Sequence, residues 1–115
     1  MSTPLIEVPL HSVAHARAGD KGNRLNISLV PYEAELWPWL QEQVTENFVL
    51  AGFADRAPSQ VKRYLLPHLH AMNFVLDDVL EGGVNRALTL DRHGKTLSFL
   101  LLSLPVRVPE QLIRR

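Results

Sequence analysis

The chain has 115 residues, of which 46% are apolar and 21% charged, with twelve basic and twelve acidic side chains. This length suits one domain with a modest core, and the zero net charge removes any general electrostatic case for binding nucleic acid or a membrane. The absence of cysteine excludes disulfides, thiolate metal sites and a cysteine nucleophile. Because no signal peptide and no apolar run of the ~20 residues that a membrane span needs is visible, we predict a cytoplasmic protein.

Alternation of side-chain character predicts the first two strands. Residues 12–17 alternate small with larger side chains, and residues 25–30 alternate apolar with mostly polar ones. The small residues of the first segment suit a strand that is closely packed by a neighbour. We interpret the two segments as an antiparallel hairpin whose loop, Gly19 to Asn23, is longer than the tightest two-residue turns.

Proline and capping residues divide the middle of the chain. Pro31 ends the second strand, and apolar residues at helical spacing predict a helix from Glu33 to Val44, with Pro38 in its first turns. Thr45 is the expected N-cap of a second short helix that runs to Phe53. A third strand is predicted from Val61 to Leu66.

The second half of the chain is less clearly patterned. Residues 69–81 predict a largely buried helix that ends at Gly82-Gly83, although the same apolar run also fits a strand. We predict a fourth strand over residues 86–90, a turn over 91–94, a helix over 95–103 for which a strand is the alternative, and a short strand over 106–108. Residues 1–115 thus predict one α+β domain, a mainly antiparallel sheet with helices on one face, as in a ferredoxin-like sandwich.

The first candidate site is the predicted hairpin loop with the residues at its base. Glycine permits positive φ and close backbone approach, so that N–H groups converge on one point beside two cations. We therefore predict that this loop binds a small anion or polar ligand, and a hairpin loop that merely faces water is the alternative. The predicted ligand-binding residues of the loop and its base are Arg17, Gly19, Lys21, Gly22, Asn23 and Asn26. Asp20 has three possible roles: orienting the cations, capping the turn, or acting as a base.

His70 and Asn73 form the second candidate site. On the predicted helix they lie one turn apart, and we predict that this face points toward the Arg17 loop. Asn73 would then bind the ligand, and His70 or Asp20 would be the catalytic acid or base. A His and an Asn that only fill polar gaps in the core are the alternative. Because no acidic residue at ligand spacing accompanies the histidines, we predict no metal site; a zinc or iron site formed by His68 and His70 with His11 or His15 is the alternative. We predict no bound cofactor.

Two strings of residues resemble a known family. Residues 16–23 with Asn26-Ile27, and residues 69–76 followed by Gly82-Gly83-Val84, are similar to the small domain at the C-terminus of acyclic terpene utilisation protein A (AtuA), over about residues 8–108. The resemblance implies a ferredoxin-like α+β fold and a connection with the catabolism of branched, terpene-like or other acyl-CoA compounds. We expect this chain to act without the large domain that precedes the resemblance in the longer family members.

These observations lead to three hypotheses about function. The first is an accessory or ligand-binding domain that works with an AtuA-like large subunit and takes a small anionic or acyl-CoA-type ligand. The second is a stand-alone acyl-CoA hydratase or lyase that uses His70 or Asp20. The third is a structural oligomerisation module with Trp37, Trp39 or residues 97–104 in a subunit interface. We expect a homo-oligomer, and neither nucleic acid nor a membrane as partner.

Overall fold

A computed structural model describes residues 4–21, 24–54, 58–78 and 90–113, with the backbone alone at positions 20, 21 and 90–96. Its strands are β1 Leu5–Pro9, β2 Ala14–Lys21, β3 Arg24–Pro31, β4 Gln60–Leu66, β5 Ala71–Asp77 and β6 Pro105–Pro109. Its α-helices are α1 Trp37–Gln43, α2 Glu46–Gly52 and α3 Leu90–Ser103. Short 3-10 turns lie at Leu10–Ser12, Ala34–Leu36, Pro67–Leu69 and Glu110–Leu112.

The described strands form one four-stranded and one two-stranded sheet, and every pairing among them is antiparallel. In the larger sheet the order is β2-β3-β5-β4, while β1 pairs with β6. Strand β5 lies between β3 and β4, which are joined through α1 and α2, so these elements form the split βαβ unit of ferredoxin-like folds. Strand β2 occupies the remaining edge of β3. The predicted α+β fold with an antiparallel sheet is confirmed.

The register assigns the sheet residues to two faces, because paired residues of antiparallel strands share a face. The helix-covered face carries Ala14, Ala16, Leu25, Ile27, Leu29, Val61, Arg63, Met72, Phe74 and Leu76. We name the other side the open face, and its central residues are Arg17, Gly19, Asn26, Ser28, Lys62, Tyr64, Asn73 and Val75. None of these eight residues belongs to the hydrophobic core.

The core lies between the helix-covered face and the three α-helices. The helices and the turn before α1 contribute Leu36, Leu40, Val49, Phe53, Leu97 and Leu101, all of which are buried. Helix α3 packs against β2, where the buried Ala14 leaves room for its side chains. The predicted close packing of this strand is confirmed. Burial on one side therefore leaves the open face of the sheet available for another role.

The predicted helix over residues 69–81 is wrong in its described part. Residues 71–77 form β5, a central strand that pairs with β3 on one side and β4 on the other. Its even-numbered residues from Met72 to Leu76 are buried, while Asn73 and Val75 are half-buried on the open face. A strand with neighbours on both edges buries much of its surface, so its apolar run imitates a buried helix. Residues 79–81 lie outside the described residues.

Four smaller expectations also need correction or qualification. Strand β2 continues to Lys21 and β3 begins at Arg24, so the predicted long loop is instead mostly strand, with two residues between the strands. The predicted turn over 91–94 is wrong, because these residues belong to α3. Leu90, predicted as part of the fourth strand, belongs to the same helix. The rest of that strand, residues 86–89, lies outside the described residues. Strand β1 was not predicted. The helix over 95–103 and the strand over 106–108 are confirmed.

Two helix ends follow the local sequence signals. The Thr45 hydroxyl accepts a 3.1 Å hydrogen bond from the Phe48 amide, which confirms Thr45 as the N-cap of α2. Pro38 lies in the first turn of α1, where its missing N–H leaves no helical hydrogen bond unmade. Among the described residues, no helix combines the length and the apolar character that crossing a membrane requires.

The side-chain amide of Gln43 connects α1 to β6 through two hydrogen bonds like those between neighbouring strands. Its amide nitrogen donates to the Arg107 carbonyl at 2.7 Å, and its amide oxygen accepts from the Arg107 N–H at 2.8 Å. We expect Gln43→Glu to lower the free energy of unfolding by about 1–2 kcal/mol, because the carboxylate keeps the acceptor and loses the donor. Urea unfolding would measure this change. Gln111→Glu is the control, because Gln111 is exposed. Equal losses of unfolding free energy from both substitutions would contradict the assigned role of the Gln43 side chain.

Candidate functional site

Four side chains form a polar row across the open face, one from each strand of the larger sheet. The register places Arg17 of β2 opposite Ser28 of β3, Ser28 opposite Asn73 of β5, and Asn73 opposite Tyr64 of β4. Arg17 is exposed and Tyr64 is 51% exposed at the two ends of this row. Ser28 Oγ donates a 3.1 Å hydrogen bond to Asn73 Oδ1 at its centre. The Asn73 amide N–H groups make no hydrogen bond to a described residue.

A second row runs beside the first one. It contains Gly19, Asn26, Val75 and Lys62 in register order across the sheet. A Cβ placed on Gly19 would meet no atom within 4 Å, and its φ lies outside the left-handed region. Neither close approach nor an unusual backbone angle therefore explains this glycine, contrary to the expectation from sequence. Its effect here is to leave the sheet surface beside Arg17 without a side chain.

Charge on the open face is uneven. Arg24, at the hairpin end, donates through Nε to Asp77 Oδ1 at 2.6 Å, and this hydrogen bond raises the pKa of the guanidinium. The Asp77 carboxylate offsets the charge of Arg24. Arg17 and Lys62 have no carboxylate partner within the described ranges. The described part of the open face thus carries uncompensated positive charge on β2 and β4, on either side of the amide and hydroxyl groups.

Asp20 and Lys21 of the predicted hairpin site do not belong to the polar row. Asp20 pairs with Leu25 and Lys21 pairs with Arg24 in the strand register. Asp20 is therefore one residue out of step with Arg17 and Gly19, and its register position belongs to the helix-covered face, as does that of Leu25. Gly22 and Asn23 were predicted as ligand-binding residues and lie outside the described residues.

His70 does not lie beside the Arg17 loop. It precedes β5 in a left-handed conformation with φ 48°, after the 3-10 turn that begins at Pro67. Its ring centroid lies 6.0 Å from that of Trp37, a residue of the core on the helix-covered side. The hairpin connection is at the other end of β5, about 20 Å away for six steps of a strand. The predicted helical pairing of His70 with Asn73 is wrong, because β5 is a strand.

Sequence reasoning placed Arg17, Asn26 and Asn73 near one another, and the structure brings them together on the open face. Ser28, Lys62 and Tyr64, which share that face, were missed. The signal was available in β4, whose alternation from Lys62 to Tyr64 matches that of Asn26 and Ser28 in β3. What the sequence did not supply was the pairing order that sets β4 beside β5.

Two grooves in the described structure lie elsewhere. One of about 330 Å³ is lined by Thr45, Glu46, Asn47, Arg63 and Leu65, and one of about 170 Å³ by Glu7, Val8, Pro9, Ser103 and Pro105. Neither includes a member of the polar row. Within the described ranges, no three histidine or carboxylate side chains gather in a metal-binding cluster. The arrangement on the open face can bind through its surface groups, but its described part does not enclose a substrate.

The fold and the open face define a ferredoxin-like α+β domain with a polar sheet surface that no described helix covers. A family model described as the AtuA ferredoxin-like domain matches residues 8–107, which is most of the chain. The protein belongs to the AtuA ferredoxin-like domain family. Searches of the curated proteins and of the solved structures found no match.

Proposed function

We propose that this chain is an accessory, ligand-binding domain that acts with an AtuA-like large protein in acyl-CoA or terpenoid catabolism. The single observation that carries the proposal is the exposed Arg17 guanidinium beside the Ser28–Asn73 hydrogen bond, on a sheet face that no described helix covers. An arginine fork beside amide donors suits a carboxylate or phosphate. Family membership supports the association with an AtuA-like partner.

The geometry supports binding better than the stand-alone hydratase or lyase. An enzyme of that kind needs an acid or base within hydrogen-bond reach of the atom that reacts. His70 lies three residues before Asn73, with its ring 6.0 Å from that of Trp37 on the helix-covered side, while Asp20 is out of step with Arg17. A group that binds at Arg17 and Asn73 therefore meets neither proposed catalytic residue directly.

The oligomerisation hypothesis receives less support from the same structure. Leu97 and Leu101 are buried in the core of the chain itself, and Trp37 is 8% exposed. These side chains pack within one copy and offer little apolar surface for a second, whereas Phe99 of the same segment is 67% exposed. Trp39 is half-buried and packs against the same core.

Substitution of Arg17 tests the proposed function. We expect the chain to co-purify with a co-produced AtuA-like large protein, and Arg17→Gln to weaken binding of an acyl-CoA to the complex about tenfold, since a charged hydrogen-bond donor is lost. Isothermal titration calorimetry on the purified complex would measure the affinity.

Arg107→Gln is the matched control, because Arg107 is an exposed arginine on β6, away from the open face. This variant is expected to retain wild-type affinity. Failure of the two proteins to associate, or equal affinity of the wild type and the Arg17→Gln variant, would contradict the proposal.

A further inference from the structure

We propose that the open face binds a mononucleotide or a nucleotide-containing cofactor, which lies across the four strands along the row from Tyr64 to Arg17. This inference rests on the proposed ligand-binding role of the face and names the class of ligand. It adds Tyr64 and Ser28 to the site, with Lys62 beside them.

The order of chemical groups along the row carries the inference. Tyr64 presents an exposed aromatic ring at one end, and Arg17 presents an exposed guanidinium at the other. Between them lie the Ser28 hydroxyl and the Asn73 amide, which bond to each other and keep further hydrogen-bonding capacity. A nucleotide presents its groups in the same order. Its planar base would stack on the Tyr64 ring, its sugar hydroxyls would hydrogen-bond to the amide and the hydroxyl, and its phosphate would bind the guanidinium.

The dimensions exclude a simple anion as the full occupant. Arg17 and Tyr64 are three strand spacings apart, which is about 14 Å, and side chains stand roughly perpendicular to a sheet. One small anion therefore occupies only the Arg17 end. A molecule that contacts both ends needs a flat ring, a polar middle and a terminal negative charge.

Charge and surface shape favour a ligand over a second copy of the chain. Arg17 and Lys62 lack carboxylate partners among the described residues, and the Asp77 carboxylate is held by Arg24. Two such faces packed together would bring like charges toward each other. Gly19 leaves the surface beside Arg17 free of a side chain, so that a phosphate group can approach the strand there.

The neighbouring aromatic residues do not offer the same arrangement. Tyr32 is 46% exposed, but its ring pairs with His15 at a centroid distance of 5.6 Å. Phe99 is 67% exposed on α3, a helix that packs on the opposite side of the sheet. Tyr64 is thus the exposed ring that shares a register row with an arginine in the described structure.

Titration of the full chain with AMP, adenosine and inorganic phosphate tests this inference, with amide chemical shifts and calorimetry as readouts. We expect AMP to bind more tightly than either fragment and to shift amide signals in all four strands of the larger sheet. Arg17→Gln should weaken AMP binding about tenfold and leave adenosine binding unchanged. Tyr64→Leu should weaken both AMP and adenosine about five- to tenfold, because stacking is lost.

Two variants serve as controls, and both are expected to bind AMP as the wild type does. Arg107→Gln removes an exposed arginine from β6, and Phe99→Leu removes an exposed aromatic ring from α3. If Tyr64→Leu does not fold, Tyr64→Phe with unchanged affinity supports stacking through the ring.

Three results would overturn the inference: no binding of AMP, equal affinity for AMP and phosphate, or an oligonucleotide that binds far more tightly than AMP. The last would assign the face to nucleic acid. Loss of AMP binding with intact association to an AtuA-like protein would refute this inference alone. Binding of AMP without that association would refute the accessory role instead.

Discussion

Replacement of Phe74 by alanine is expected to lower the free energy of unfolding by about 3–5 kcal/mol. Phe74 is fully buried in β5, where the register sets it opposite Ile27 of β3 and Arg63 of β4. Truncation removes its transfer free energy and leaves a cavity between the sheet and the helices. Small domains are stable by about 5–15 kcal/mol in total. A large fraction of the variant molecules would therefore be unfolded at moderate denaturant concentrations. Urea unfolding followed by circular dichroism would measure the change.

The matched control is Phe99→Ala. Phe99 is 67% exposed on α3, so the same substitution is expected to alter the free energy of unfolding by about 0.5 kcal/mol or less. An equally large loss at both positions would contradict the assigned faces of α3 and β5. A loss at Phe99 that depends on protein concentration would indicate that α3 is covered by another copy in solution.

Replacement of Arg63 by methionine is expected to cost about 2–4 kcal/mol of unfolding free energy. Arg63 Nη1 donates to the carbonyls of Gln41 and Val44 at 2.7 and 2.8 Å, at the C-terminal end of α1. These carbonyls lie where a helix runs out of amide partners, and a cation there also interacts favourably with the helix dipole. The substitution removes charged hydrogen bonds and leaves half-buried acceptors without them. Thermal and urea unfolding would both report the loss.

Lys62→Met is the control for Arg63→Met. Lys62 is the adjacent residue of β4, yet it faces the open side and is exposed. Its replacement should change stability by about 0.5 kcal/mol or less, since no hydrogen bond to a described residue is lost. Equal effects at positions 62 and 63 would mean that the cap on α1 contributes nothing measurable. Because Arg63 also donates its backbone N–H to Glu46 at 2.8 Å, methionine retains that contact between β4 and α2.

The polar row shows how the binding hypothesis depends on packing. Asn73 is held on the open face because its neighbours Met72 and Phe74 are buried on the other side. A cavity beneath β5 would therefore loosen the same strand that supports the Ser28–Asn73 hydrogen bond. Stability variants in the core and binding variants on the surface must be compared at temperatures where both remain folded.

Several features of the site were predicted from the sequence because they depend on neighbours along the chain. The hairpin joins Arg17 and Asn26 through a short connection, and alternation along β3 separates Leu25 and Ile27 from the polar residues. Asn73 was placed near Arg17 correctly, although through a helix that does not exist. His70 was misplaced for the same reason, because a strand and a helix direct consecutive residues differently.

Local sequence signals were enough to predict the hairpin strands, the Thr45 cap, the end of β4 before Pro67 and the α+β class. The strand at residues 71–77 depends on tertiary pairing, because its apolar run satisfies either periodicity until β3 and β4 supply hydrogen-bond partners on both edges. Strand order likewise set Tyr64 in line with Arg17. Pairing between distant segments depends on the packing of the whole domain, and the residues on either side of a position do not determine it by themselves.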